Sequence, residues 1–258
     1  MFKLIQNEFL KLHAKKGTYI LISIIALLEV LIAVVIAKWG KADSLSGSYL
    51  DFVISNINLI ILFATIFGIT TASRTITDEF QKGTIKQLLI RPRKRITVLL
   101  SKYITVLLTM LFIVSAGMLI GMIIGGIVMD GSKTELTLAI VLKKFLYELV
   151  QPFFFATLAF FFSNVFRKSV LPLIITLLLF FMSEFINMML MKFSESIAKF
   201  VVFSHLNLKV YDNNNLISGD STPPFTDFNF TTSLLLVVVY FAILLVASSI
   251  LFEKRDVV

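Results

Sequence analysis

"TYILISIIALLEVLIAVVIA", residues 18–37, holds one charged side chain, Glu29, in a run of twenty. At about 1.5 Å of rise per residue, a helix of that length crosses the roughly 30 Å hydrocarbon core of a bilayer. Five further runs of the same character follow, at 52–73, 103–129, 145–166, 169–191 and 228–252. None shows the alternating polarity over about ten residues that marks a membrane β-strand. A soluble domain could not cover the apolar surface implied by 57% hydrophobic residues and 26 phenylalanines in a chain of 258. The expected fold is therefore an all-α integral membrane domain, one unit over residues 1–258 with six transmembrane helices.

The first run follows sixteen polar-rich residues and exceeds the apolar core of about 7–15 residues in a secretory signal. It also lacks a convincing small-x-small cleavage site, so it reads as a retained helix. Cysteine is absent, which excludes disulfides and thiolate metal sites.

Charge gives an orientation. With the first segment in the cytoplasm, the inner side holds Lys3, Lys11, Lys15 and Lys16, eight basic residues from Arg74 to Lys102, then Arg167 and Lys168, then Lys254 and Arg255. That leaves eight of the 24 basic residues outside, while all six arginines (Arg74, Arg91, Arg93, Arg95, Arg167 and Arg255) fall inside. The net charge of +8 reads as this positive-inside bias rather than as a nucleic-acid patch. The expectation is a multi-pass protein of the cell membrane with both termini cytoplasmic and no nucleic-acid partner.

Residues 1–16, "MFKLIQNEFLKLHAKK", place Phe2, Ile5, Phe9 and Leu12 on one helical face. A basic amphipathic helix of this kind lies in the membrane interface, either as a plain anchor or with a regulatory role. His13 has no metal-ligand partner in the sequence around it. In the third run Gly117, Gly121 and Gly125 recur at four-residue spacing, a groove that lets another helix approach closely. That helix belongs either to this chain or to a second subunit. Glu29, Glu148 and Glu184 lie within runs and are costly against lipid, so each faces protein or water. They read equally as the lining of a translocation path or as buried structural acids. Gln151-Pro152 predicts a kink in the fourth span. The segment 192–227 predicts a short amphipathic helix or re-entrant pair carrying Phe193, Ile197, Phe200, Val201 and Leu208, then a turn-rich loop. His205 stands alone there.

One long hydrophilic stretch interrupts this apolar chain: "TDEFQKGTIKQLLIRPRKR", residues 77–95. Thr77, Asp78 and Glu79 predict a helix start, Lys86, Arg91, Arg93 and Arg95 load its end with positive charge, and Pro92 stops it. Phe80, Ile85, Leu88 and Leu89 supply an apolar stripe. The pattern suits a helix that docks on a soluble partner; the plainer alternative is an interfacial loop whose arginines bind lipid phosphates.

Residues 78–102, "DEFQKGTIKQLLIRPRKRITVLLSK", resemble the segment after the second span of bacterial ATP-binding-cassette (ABC) type-2 permeases. The shared features are an acid (Glu79), a Gly-Thr pair (Gly83, Thr84), a Leu-Leu pair (Leu88, Leu89), a proline (Pro92), an arginine (Arg95) and a small residue before lysine (Ser101, Lys102). Ser101 stands where that family often has glycine. The "NEFLKL" start, six spans and an outer helical segment before the sixth are also similar. The resemblance implies a coupling helix at 76–91, with Asp78, Glu79 and Phe80 among its docking residues, seated on a separate ABC ATPase. It further implies two such ATPases, a second permease subunit (identical or related), and ATP and Mg bound on the ATPase rather than on this chain. No GxxxxGK[ST] phosphate loop occurs here.

Among such permeases, small phenylalanine-rich ones resemble those that export, or confer immunity to, amphipathic peptides, toxins and bacteriocins. Drug or sodium extrusion is the alternative within the class. A non-transporting peptide-immunity or sensor protein is a second alternative, and an intramembrane enzyme a third. The last has only the three intramembrane glutamates behind it, since both histidines fall outside the spans and no HExxH or GxSxG motif occurs.

Overall fold

The computed structural model describes residues 1–40, 46–81, 95–132, 134–166, 168–219 and 221–254, and every regular element among them is helical. The amphipathic start forms α1, Phe2–Ala14. Lys16, at φ 56, takes the left-handed turn that redirects the chain into α2, Gly17–Trp39. Then come α3, Tyr49–Gln81, and α4, Arg95–Val128. The fourth crossing is split into α5, Leu138–Glu148, and α6, Val150–Val165. The fifth and sixth are α7, Val170–Phe193, and α10, Phe230–Lys254. Between them lie two one-turn helices, α8 at Glu195–Ala198 and α9 at Asn215–Ser218, and two 3₁₀ turns, Val202–His205 and Leu208–Tyr211. Among the described residues six helical stretches are long and apolar enough to cross a membrane.

Three of these elements differ from the sequence expectation. No helix starts at Thr77: α3 runs without interruption from Tyr49 to Gln81, and the Thr77 hydroxyl donates back to the Ser73 carbonyl at 2.7 Å as an interior helical residue does. No glycine or proline lies between Ser73 and Gln81, so extending the existing helix costs less than nucleating a new one. At 33 residues α3 is about 50 Å long and projects beyond an apolar core of roughly 30 Å. The fourth crossing begins earlier than expected, with Thr137 accepting from the Ile140 amide as its cap. Its interruption falls at Leu149, where Pro152 has no N–H to offer the Glu148 carbonyl. Third, the outer segment is helical as expected but forms a packed cap of single turns rather than one amphipathic helix or a re-entrant pair. Leu206, Leu208, Val210, Ile217 and Phe225 are buried in it, whereas Phe193, Ile197 and Phe200 are exposed.

α3 is the central helix and packs chiefly on α4 and α6. One core cluster gathers Ile69, Ile76, Tyr103 and Met110 around the aromatic face of α6, Phe154, Phe155 and Phe160. A second joins Ile25 of α2 to Val53, Ile57 and Ile60 of α3 and to Ile113 and Val114 of α4. The glycine stripe makes the second cluster possible. A Cβ on Gly117 would meet Ile60 at 2.8 Å, one on Gly121 would meet Glu29 Oε1 at 3.2 Å, and one on Gly125 would meet Phe52 at 2.8 Å and the Tyr49 carbonyl at 3.0 Å. The helices that fill this groove are α2 and α3 of the same chain.

Candidate functional site

Three elements converge at the end of the bundle that carries α1. The last turn of α3 presents Asp78 and Glu79, and the second turn of α4 presents Ser101 and Lys102. α1 lies against both with Glu8 and Lys11, and Lys15 follows it. Lys102 is 3% exposed, and its Nζ donates to Glu8 Oε2 at 2.9 Å and to Glu79 Oε1 at 3.0 Å. Lys11 Nζ reaches the same two carboxylates, Glu8 Oε1 at 2.9 Å and Glu79 Oε1 at 3.1 Å. Lys15 pairs with Asp78 at 3.3 Å.

The burial of Lys102 makes this more than a set of surface ion pairs. An ammonium taken out of water is tolerated only with close, hydrogen-bonded counter-charges, and removing one partner of a buried pair costs about 3–5 kcal/mol. Two carboxylates from two different helices meet that need, so Lys102 fixes α1 and the end of α3 relative to α4. For Lys11, burial disfavours the charge, but the hydrogen bonds and fields of Glu8 and Glu79 outweigh it and raise the ammonium above its ordinary 10.5. Arg95, the first residue of α4, donates from Nη1 to the Glu253 carbonyl near the end of α10 at 3.1 Å. The flanks of the hydrophilic stretch, α1 and the end of α10 therefore lie at the same end of the molecule.

Of the nine residues expected to couple, Asp78, Glu79, Phe80 and Arg95 are placed here, with Phe80 packed on the aromatic core cluster. Gly83, Thr84, Leu88, Leu89 and Pro92, and most of the expected 76–91 helix, lie outside the described residues. Beneath α1 these elements and the start of α2 border a half-open cavity of about 1200 Å³ whose wall includes Thr18, Phe67, Thr71, Arg74, Lys102 and Val106.

The three intramembrane glutamates do not come together. Glu29 is fully buried against Gly121, and neither carboxylate oxygen has a hydrogen-bond partner among the described residues. Glu148 pairs with Lys209 of the outer cap at 2.7 Å, and Glu184 is exposed on α7. Among the described residues no three acids or histidines are grouped as a metal site would require. His13 Nδ1 contacts the Tyr19 hydroxyl at 2.6 Å. His205 is buried, with Nε2 donating to the Lys199 carbonyl and Nδ1 on Ser233 Oγ, both at 2.9 Å.

Sequence reading found the acidic side of the charged junction and missed how it is held. Lys102 was visible as a charge at the threshold of the third apolar run, and Glu8 as the one acid of the amphipathic start. Nothing in the sequence said that these two would pair.

Residues 4–183 match the family described as "ABC-2 family transporter protein". The chain belongs to the ABC-2 family of transporter proteins. As an ABC-2 permease it is the membrane component of a transporter, and the ATP is hydrolysed on a separate ABC ATPase subunit with which it associates. The permease is also similar over its full length to two proteins of Bacillus subtilis (strain 168). It is 27% identical to "Uncharacterized protein YhcI", covering all of this chain and 99% of that one. It is 26% identical to "Uncharacterized membrane protein YdbK", covering 96% and 99%.

Proposed function

We propose that this permease is the membrane subunit of an exporter that moves hydrophobic or amphipathic peptides out of the cell or its membrane. Two copies, or one copy with a related chain, pair with two ATPase subunits that carry ATP and Mg. α1, the charged junction and both termini lie on the cytoplasmic side, and the segment around 76–91 docks on the ATPase.

The observation that carries this reading is the buried Lys102. It ties Glu79, at the entrance to the docking segment, both to α4 and to α1. A displacement of the docking segment therefore moves two elements together, as transmission of an ATPase stroke requires. The exposed Glu184 on α7 supports a second permease subunit, because an acid within an apolar span is costly when it faces lipid. Glu29, closed off between α2, α3 and α4, bears on a translocation path only if those helices separate during the cycle. The aromatic face of α6 is compatible with apolar cargo.

The test is ATP hydrolysis by the permease reconstituted with its ATPase in proteoliposomes, with a cationic amphipathic helical peptide, a hydrophobic drug or added sodium. Peptide stimulation and ATP-dependent peptide movement support the assignment. Stimulation by drug or sodium alone replaces the substrate and leaves the transporter. Association without any stimulated movement favours a peptide-sensing membrane protein.

A further inference from the structure

We propose that the cavity beneath α1 binds the phosphate headgroup of an anionic phospholipid, with Arg74 as its anion-binding residue. The wall is built from the start of α2, the last turns of α3 and the first turns of α4, with α1 as its lid. On α3 the lining residues Phe67, Thr71, Arg74 and Asp78 follow helical spacing, so one face of that helix supplies an apolar floor, a hydroxyl and a guanidinium in sequence.

The charge pattern is specific. The lining includes Lys11, Lys15, Arg74 and Lys102 on the basic side and Glu8, Asp78 and Glu79 on the acidic side. Lys11 and Lys102 are engaged by Glu8 and Glu79, and Lys15 by Asp78. Arg74 alone of these has no ion pair among the described residues, and Asp78, one turn away on the same helix, is held by Lys15. The side chains of Thr18, Thr71 and Asn7, also in the wall, make no hydrogen bond among the described residues. Arg74 and Asn7 are exposed, Thr71 is half-buried and Thr18 buried, so the mouth of the cavity offers an accessible guanidinium beside hydroxyl and amide donors, a set that suits a negatively charged ligand rich in acceptors arriving from the interface. The planar guanidinium presents paired N–H donors that match phosphate oxygens.

The cavity's size and depth select a lipid over a small anion. A volume near 1200 Å³ is above the roughly 300–1,000 Å³ of ordinary small-molecule sites. Phe67 lies two turns deeper in the bundle than Arg74, and with Val106 it gives the inner wall an apolar surface for an acyl chain. The amphipathic α1, with Phe2 and Leu10 exposed, lies in the interface where such headgroups are found. The site does not depend on the exporter assignment, since the lipid is held by this chain alone.

Native mass spectrometry of the full-length permease in detergent tests it. The protein is titrated with phosphatidylglycerol, with phosphatidylcholine, and with phosphatidylglycerol in the presence of millimolar inorganic phosphate. The expected result is preferential retention of phosphatidylglycerol, weakened roughly tenfold in Arg74→Gln, less in Arg74→Lys, and undisturbed by inorganic phosphate. Thr71→Val, expected to weaken binding less than Arg74→Gln, gives a second reading if Arg74→Gln does not fold. Equal binding of the two lipids, or unchanged phosphatidylglycerol binding in both Arg74→Gln and Thr71→Val, overturns the proposal. Displacement by inorganic phosphate assigns the site to a free anion and overturns the lipid.

Discussion

Lys102 and Lys11 contact the same two carboxylates but differ in burial, 3% against 53% exposed. Truncating the buried lysine leaves Glu8 and Glu79 partly uncompensated where both are mostly buried, whereas the exposed one is largely solvated. Lys102→Met is expected to destabilise the permease by about 3–5 kcal/mol and Lys11→Met by less than about 1 kcal/mol, read from thermal unfolding in detergent. Two adjacent glycines make a similar contrast. A Cβ on Gly125 meets the α3 backbone, while one on Gly126 meets nothing within 4 Å. Gly125→Ala is expected to cost about 1–3 kcal/mol and Gly126→Ala to be neutral or stabilising by up to about 1 kcal/mol. The glycine spacing, with Gly125 rather than Gly126 in the stripe, was legible in the sequence; which helix fills the groove was not, because that depends on how distant parts of the chain pack on α4.

The elements show the same division. The six spans were legible because bilayer thickness imposes a length and a composition on each. The long α3 was misread at Thr77, since the cues that start a helix also occur within one that simply continues. The outer segment was read as helical but its packing was not, for another reason: its stability comes from contacts between distant parts of the chain, such as Lys143 to Asp212 at 2.6 Å and Lys209 to Glu148. That cap should respond to acid. Burial holds the His205 ring below its ordinary 6.5, against the opposing effect of its bond to the Lys199 carbonyl. The neutral ring is therefore favoured by folding, so its contribution is present above about pH 6.5 and is lost as pH falls below that value. Hydrogen-exchange protection across residues 199–211, after correction for the slower intrinsic exchange at lower pH, is expected to fall as pH is taken from about 6.5 to about 5.5, and His205→Gln to flatten the change. Asp212 titrates lower. Burial would raise it, but the Lys143 ammonium, the Asn214 amide and the Tyr147 hydroxyl outweigh burial and hold it below 3.8. Its contribution is present above about 3.8 and is lost only as pH falls through the lower folded value, so the response near neutrality belongs to His205.

At the scale of the whole molecule, polar contacts concentrate at the two ends of an apolar bundle. One end ties the outer cap to α5 and α10 through Asp212, Glu148 and His205. The other ties α1 to α3 and α4, and α4 to α10, through Lys102 and Arg95. If the second end receives the ATPase, uncoupling should be separable from unfolding. Glu79→Gln keeps the shape of the side chain and removes its charge. It is expected to lower ATP-dependent transport per folded, membrane-inserted permease by at least about tenfold, and also to destabilise the permease by less than Lys102→Met does, because Glu8 still holds Lys102; proteoliposome uptake normalised to membrane yield and thermal unfolding in detergent read the two effects separately. The chain has no cysteine, so single-cysteine variants report contacts without background. The measurement to make is cross-linking of Thr84→Cys, in the docking segment, and Asn214→Cys, in the outer cap, to the ATPase subunit in native membranes. Cross-linking from Thr84→Cys with none from Asn214→Cys is the expected result. Cross-linking from Asn214→Cys alone, or none from Thr84→Cys in a complex that still co-purifies, would contradict the coupling role of this end of the molecule.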